Sequence, residues 1–291
     1  MCCLASLRLR DLVELSSLVG ARGLLKLGMN EELQKRIAFG RKAVEERISY
    51  FAEMFGSVGS QWKRDGSRVT EADLYLSKSF TEAILGEFVK DQVFSEEADP
   101  NAGVIPVKAG YSWVLDPIDG TNNFANGLPI CAISLGLLKD GDPVYGFVYD
   151  HSLRALFHGG PGIGVFNGDD PVSRESQVPN PQCIVAVQAS STESAIAADG
   201  KIQRKFKLRS FGSSTLHMTY VALGITDGVM EHGIKVWDIA ASYALLKAMG
   251  GDVDFLGRPE FPMKEFDVDM KGFGHISGDD AMRRAIAEAV S

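Results

Sequence analysis

The chain has 291 residues, 45% of them hydrophobic and 23% charged, the composition of a soluble globular protein long enough for one large or two fused hydrophobic cores. Its 38 acidic residues outnumber 30 basic ones for a formal charge of -8, which argues against a nucleic-acid binder, a role that needs a basic footprint. Four cysteines (Cys2, Cys3, Cys131, Cys183) with no CxxC pair exclude a disulfide framework and point to a reducing, cytoplasmic setting, and no apolar stretch is long enough to span a bilayer.

Residues 1–28 are leucine-rich but lack a continuous apolar core and a clean cleavage site, so they read as an N-terminal extension and not as a signal peptide. Asn30, with Glu31 and Glu32 behind it, has the form of a helix cap and acidic first turn. Ile37, Val44, Ile48, Phe51 and Phe55 then recur at helical intervals, predicting one helix that ends near Gly56. The polar run 60–69 reads as a loop or hairpin, and a second helix is expected from Thr70 to about Phe88. Strands are predicted at 92–94, 112–115, 131–138, 144–149 and 154–158, followed by a glycine cluster at 159–168. Beyond a loop at 167–182 come a strand at 184–188, a helix at 213–222, a small-residue helix at 238–249 closed by Gly250 and Gly251, and a last helix from Asp279. Strands and helices mixed in this way, without repeats, fit a layered α/β or α+β protein whose best break, at 170–182, divides 29–180 from 181–291.

The densest chemical signal is WVLDPIDGTNNF, Trp113 to Phe124. An apolar strand runs into Asp116, a proline follows, and Asp119, Gly120 and Thr121 come next. Such a strand end can aim two carboxylates and the carbonyl of Ile118 at one point, the oxygen set that hard divalent cations prefer. The amides from Asp119 to Thr121 could face a phosphate if they open a helix. The same D-P and D-G dipeptides also make an ordinary β-turn. Glu96 and Glu97 follow a short apolar strand and could equally be a solvated acidic loop; Asp238 could be a helix cap; Thr70 and Asp73 have capping-box spacing. The chain has no G-x-S-x-G, H-E-x-x-H, P-loop or G-x-G-x-x-G motif, and its five histidines are scattered, reading as core or surface residues.

Taken in order, VTEAD (69–73), SEE (95–97), DPIDGTNNF (116–124) and WDIAA (237–241) resemble the inositol monophosphatase family of lithium-sensitive, Mg²⁺-dependent phosphatases. Glu96 lies twenty residues before Asp116 and Glu231 seven before Asp238, the spacings of that family; Ser95 stands where the family usually has glycine. The resemblance implies a five-layer αβαβα sandwich, a homodimer and two or three Mg²⁺ ions per site. By the same resemblance Glu96, Asp116 and the Ile118 carbonyl hold one ion and Asp116, Asp119 and Asp238 another. Thr121 and Asp73, as a hydrogen-bonded pair, orient the attacking water with Glu96. Asp119, Gly120, Thr121 and Asp238 meet the phosphate. Glu231 faces the hydroxyls of a polyol, with Gly212, Ser213 and Ser214 lining the same pocket, although the run RSFGSS (209–214) reads equally as a turn before a helix with Ser213 or Ser214 as its cap. Ser190 and Ser191 border it, and Lys63 or Arg64 either approaches the metals or is a solvated charge.

A phosphate monoester meeting four carboxylates is repelled unless cations neutralise them, so the expected reaction is a two-metal hydrolysis by water without a phospho-enzyme. The expected substrate is inositol 1-phosphate or a similar polyol phosphate. Histidinol phosphate, fructose 1,6-bisphosphate and 3'-phosphoadenosine 5'-phosphate are the alternatives within the same chemistry. A non-catalytic regulatory protein of the same fold is the alternative outside it. The implied partner is a small phosphate ester, neither nucleic acid nor membrane.

Overall fold

The computed structural model describes residues 30–63, 66–189 and 192–291. The N-terminal extension and the expected site residues Arg64, Ser190 and Ser191 lie outside the described residues. Two units are distinguished, 1–39 and 40–291. Asn30, in the first, opens helix α1 (Glu31–Glu45), whose last residues belong to the second, by accepting the Glu32 amide on Oδ1 at 2.9 Å, the expected side-chain cap.

The second unit continues with α2 (Ile48–Met54), β1 (Ser60–Trp62), β2 (Arg68–Thr70), α3 (Glu71–Glu87), β3 (Gln92–Ser95), β4 (Ile105–Pro106), β5 (Tyr111–Asp119), α4 (Thr121–Ala125), β6 (Ala132–Lys139), β7 (Asp142–Asp150), β8 (Ala155–Gly160), β9 (Gly164–Asn167) and β10 (Asp170–Val172). After a connecting stretch come β11 (Ile184–Val187), α5 (Glu193–Gln203), β12 (Lys207–Arg209), α6 (Ser214–Ala222), β13 (Gly228–Ile234), α7 (Val236–Ala248), β14 (Asp252–Leu256), β15 (Glu265–Phe266), β16 (Phe273–Gly278) and α8 (Asp280–Val290). The single helix expected up to Gly56 is broken at Glu46 and Arg47. There the Arg47 guanidinium donates to the Ala43 carbonyl at 2.7 Å and to the Ser79 carbonyl at 2.7 Å, taking up an acceptor that continued helix would have used. The polar run at 60–69 forms the antiparallel pair β1–β2.

A seven-stranded sheet has the order β10-β9-β8-β7-β6-β5-β3, antiparallel except for the parallel β3–β5 pair. A five-stranded sheet has the order β12-β11-β13-β16-β14 and is mixed. Helix α3 covers one face of the first sheet, α6 and α7 fill the space between the sheets, and α5 and α8 cover the outer face of the second. These are the five layers, α/β/α/β/α.

Helix α7 is buried on nearly every side, from Val236 through Leu246, as a helix between two sheets must be. Its small residues have a counterpart in the sheet. Gly136 and Gly146 pair across β6 and β7, and a Cβ on Gly146 would stand 2.1 Å from the Ala241 carbonyl oxygen. The helix backbone therefore rests directly on the strands, which fixes the position of its first turn. Outside the second sheet, Met282, Ile286 and Ala289 of α8 close a separate core with Val185, Ile202 and Ile276.

Candidate active site

Strand alternation puts residues an odd number apart on opposite faces of a sheet, so Asp116 and Asp119 on a regular strand would point away from each other. The register resolves this. Asp116 pairs with Ser134 and Asp119 with Ala132, three residues of β5 against two of β6. The extra residue is a β-bulge at Pro117–Ile118 that returns Asp119 to the face of Asp116. Asp238 reaches the same point from the first turn of α7, and carboxylate oxygens of Asp116, Asp119 and Asp238 all lie within 4.8 Å of one another.

Each of these acids is held by one oxygen. Asp116 Oδ1 accepts the Ile118 amide at 3.0 Å, Asp119 Oδ2 accepts Ser213 Oγ at 2.5 Å and the Thr215 amide at 2.7 Å, and Asp238 Oδ2 accepts the Lys235 amide at 2.6 Å. The last bond caps α7, so Asp238 has its helix-capping place as well as its place in the cluster.

Asp73 repeats that arrangement on α3. Thr70 caps the helix, and Asp73 Oδ2 returns to the Thr70 amide at 2.7 Å and its hydroxyl at 2.5 Å, a reciprocal capping box. The other oxygen of Asp73 lies 3.3 Å from Thr121 Oγ1, whose single proton it shares with the Ile118 carbonyl at 2.8 Å. Gly120 makes the corner between β5 and α4 at φ +82. Glu96 follows β3, its amide bonded to the Leu115 carbonyl at 3.0 Å. The Lys63 ammonium bridges Glu96 at 2.8 Å and Glu97 at 2.5 Å. Ser95, in the place where glycine was expected, ties this loop to α3 through Ser77 Oγ at 2.8 Å and accepts the Glu97 amide at 3.3 Å.

Burial and mutual repulsion raise the acids' pKa values. Asp116 is pushed well above the usual carboxylate range by burial and then by Glu96, Asp119 and Asp238; Asp238 is raised in the same way, by burial and by Asp119 and Glu96. Burial lifts Asp119 to about 6 against the opposing bonds from Ser213 and Thr215. It lifts Asp73 to about 6 against the bonds from Thr70, and Glu97 to about 7 with help from Glu96. The protein has thus gathered carboxylates whose ionisation together is unfavourable, the electrostatic condition of a cation site.

The substrate-side residues take part in a hydrogen-bond network of their own. Glu231 is 0% exposed and both its oxygens are engaged. Oε1 meets Ser214 Oγ at 2.9 Å and His217 Nδ1 at 2.6 Å, and Oε2 meets His275 Nε2 at 3.3 Å. Burial alone would raise its pKa, but the two imidazoles hold it below the ordinary glutamate value. Ser213 and Ser214 are likewise turned inward, and Gly212, at φ +77, leaves room for the Asn123 side-chain amide.

The sequence profile of the inositol monophosphatase family matches residues 29–290. The chain belongs to that family. It is 36% identical to a probable inositol 1-monophosphatase ImpA of Mycobacterium tuberculosis over 69% of this chain and 76% of that one. It is 30% identical to a fructose-1,6-bisphosphatase/inositol-1-monophosphatase of Aquifex aeolicus over 79% of this chain and 89% of that one. Among solved structures, a Thermotoga maritima IMPase superposes with a TM-score of 0.74 at 25% identity, covering 88% of this chain and 96% of the other. As a member of the inositol monophosphatase family the chain is an enzyme, a phosphoric monoester hydrolase. Among the described residues, no helix is long and apolar enough to cross a membrane.

Within this inositol monophosphatase fold, four residues beside the site escaped the reading of the sequence: Thr215, His217, His275 and Asn123. The histidines are core residues, as read, and neither belongs to the acid cluster. Their local spacing carried a signal. Ser214 and His217 are one helical turn apart, and His275 is paired directly opposite Glu231 across β16 and β13.

Proposed function

We propose that the chain is a Mg²⁺-dependent phosphatase of inositol monophosphates or similar polyol phosphates. The observation that carries this reading is the meeting of Asp116, Asp119 and Asp238 within 4.8 Å at the end of a bulged strand. All-oxygen donors, buried and raised in pKa, suit a hard divalent cation rather than a soft one. Asp116, Asp119 and Asp238 would hold one ion; Glu96, Asp116 and the Ile118 carbonyl would hold another. When bound, Mg²⁺ supplies Lewis acidity to the phosphoryl oxygens and lowers the pKa of water.

The chain's own groups do the rest. Thr121 Oγ1 has its one proton between Asp73 Oδ1 and the Ile118 carbonyl, which leaves its lone pairs to accept a proton of the attacking water. Asp73, at about 6, is ionised near neutral pH and fixes the direction of that hydroxyl. Ser213 and the Thr215 amide keep Asp119 in one rotamer. Lys63 places a positive charge on Glu96 and Glu97 at the edge of the site.

The experiment is a panel of phosphate esters ranked by kcat/KM. Inositol 1-phosphate should be hydrolysed with Mg²⁺ and not with EDTA; metal-independent turnover sinks the mechanism. Fructose 1,6-bisphosphate is the second reading, supported by the double name of the Aquifex aeolicus relative. A kcat/KM for it above that for inositol 1-phosphate would select it. Family resemblance also supports a homodimer, a cytoplasmic location and inhibition by millimolar lithium.

A further inference from the structure

The hydrogen bonds at His217 define its protonation. The Phe211 amide donates to Nε2 at 2.9 Å, so that nitrogen carries no proton; Nδ1 carries it and donates to Glu231 Oε1 at 2.6 Å. The ring is therefore a rigid spacer between a buried carboxylate and the backbone of the loop 211–215. The same loop is held from its other side by Asn123, whose side-chain amide donates to the Phe211 carbonyl at 2.7 Å. Both backbone polar groups of Phe211 are thereby satisfied, two residues before Ser213. Ser213 Oγ and the Thr215 amide then converge on one oxygen of Asp119. Glu231 is itself fixed by Ser214 and by His275, whose Nδ1 is 2.6 Å from Ser277 Oγ.

We propose that His217, its ring fixed by Glu231, is a positioning residue for Asp119. The inference rests on the reading of Asp119 as a cation ligand. Three buried donors, from Ser214, His217 and His275, hold the Glu231 carboxylate in place. The path from Glu231 runs by hydrogen bonds through His217 to the half-buried Phe211 amide, then along the backbone of Gly212 to Ser213, whose hydroxyl bonds to Asp119. Removing an outer partner of this kind typically weakens metal affinity by about 10- to 100-fold.

Two isosteric replacements on the full-length protein test this. His217→Gln can put its amide oxygen where Nε2 stands and accept the Phe211 amide, whereas His217→Asn reaches only the Nδ1 position and leaves that amide unpaired. Mg²⁺ affinity measured by calorimetry should fall about 10- to 100-fold in His217→Asn and stay within a few-fold of wild type in His217→Gln. kcat should fall in His217→Asn, with the KM for inositol 1-phosphate little changed. A His217→Asn enzyme that binds Mg²⁺ normally overturns the inference, as does one whose loss is confined to KM. If His217→Asn does not fold, Ser213→Ala probes the far end of the same path, and unchanged Mg²⁺ affinity there overturns the inference equally. Asp119→Asn separates the levels. Normal affinity in that variant removes the ligand assignment and the inference together, while lost affinity beside a normal His217→Asn removes the inference alone.

Discussion

Gly120 and Asp116 show two ways in which one atom can govern the site. At φ +82, a Cβ on residue 120 would stand 3.1 Å from the backbone carbonyl oxygens of both Gly212 and Ile130. Gly120→Ala thus combines a left-handed backbone conformation that costs about 1–3 kcal/mol with a contact that neither carbonyl can relieve by rotating a side chain. Urea unfolding should show a loss of at least about 1 kcal/mol, together with lost activity, because Asp119 and Thr121 flank the glycine. Asp116→Asn is the opposite case. The amide keeps the volume, and its oxygen can still accept the Ile118 amide, but one charge of the cluster disappears. kcat should fall by about 10²–10³ or more, the scale of losing a transition-state charge partner, with the urea midpoint unchanged or higher because the remaining acids repel one another less. An unaltered rate would show that Asp116 holds no cation.

At the scale of elements, the parts legible in the sequence were those that local pattern specifies. Thr70 with Asp73, the apolar strand that runs into Asp116, and the last helix from Asp279 each depend on neighbours within one or two turns, and each stands near its expected place. The bulge on β5 was not legible, because D-P-x-D has the spacing of opposite faces and only the partner strand β6 shows that one residue is extra. Nor was the Glu231, His217 and His275 network: its members come from β13, α6 and β16, and none is unusual in its own segment. The seat of α7 belongs to the same class, since Gly136 and Gly146 read only as glycines in strands until the helix is laid across them. Gly146→Ala should therefore be far from neutral. With its new methyl 2.1 Å from the Ala241 carbonyl oxygen, the helix must lift, at about 1–3 kcal/mol or more of overpacking strain. Because α7 carries Asp238, Mg²⁺ affinity should fall along with the melting temperature. A variant that loses stability and keeps full Mg²⁺ affinity would show that the position of Asp238 does not depend on this contact.

For the molecule as a whole, the acid cluster makes stability without metal depend on pH in an unusual direction. In the folded state Asp73 and Asp119 titrate at about 6 and Glu97 at about 7, with Asp116 and Asp238 also raised; in the unfolded chain all return to about 4. Over the interval between these values the folded protein binds more protons than the unfolded one, so its stability falls as pH rises. Glu231 works in the other sense, because its folded value is depressed: its contribution is complete above the unfolded value of about 4.3 and is lost below it. Burial also lowers His151 and His158, which favours the folded state as pH rises through the imidazole range, but the five raised carboxylates outnumber these two, so EDTA-treated protein should be most stable in mild acid, near the unfolded carboxylate values, and less stable toward pH 7. On the proposed reading, Mg²⁺ would bind the folded state through the ionised acids, and so should reverse the trend where they are ionised. At 100 times its Kd it adds about 2.7 kcal/mol, which for a chain of this size is a rise of several degrees in Tm. Scanning calorimetry at pH 5 and pH 7.5, each with EDTA and with Mg²⁺, measures all four corners. The Tm in EDTA should be higher at pH 5 than at pH 7.5, and the Mg²⁺ shift should be larger at pH 7.5. A Tm in EDTA that climbs from pH 5 to pH 7.5, or an equal Mg²⁺ shift at both, would mean that the buried carboxylates are not the groups on which folding and metal binding compete for charge.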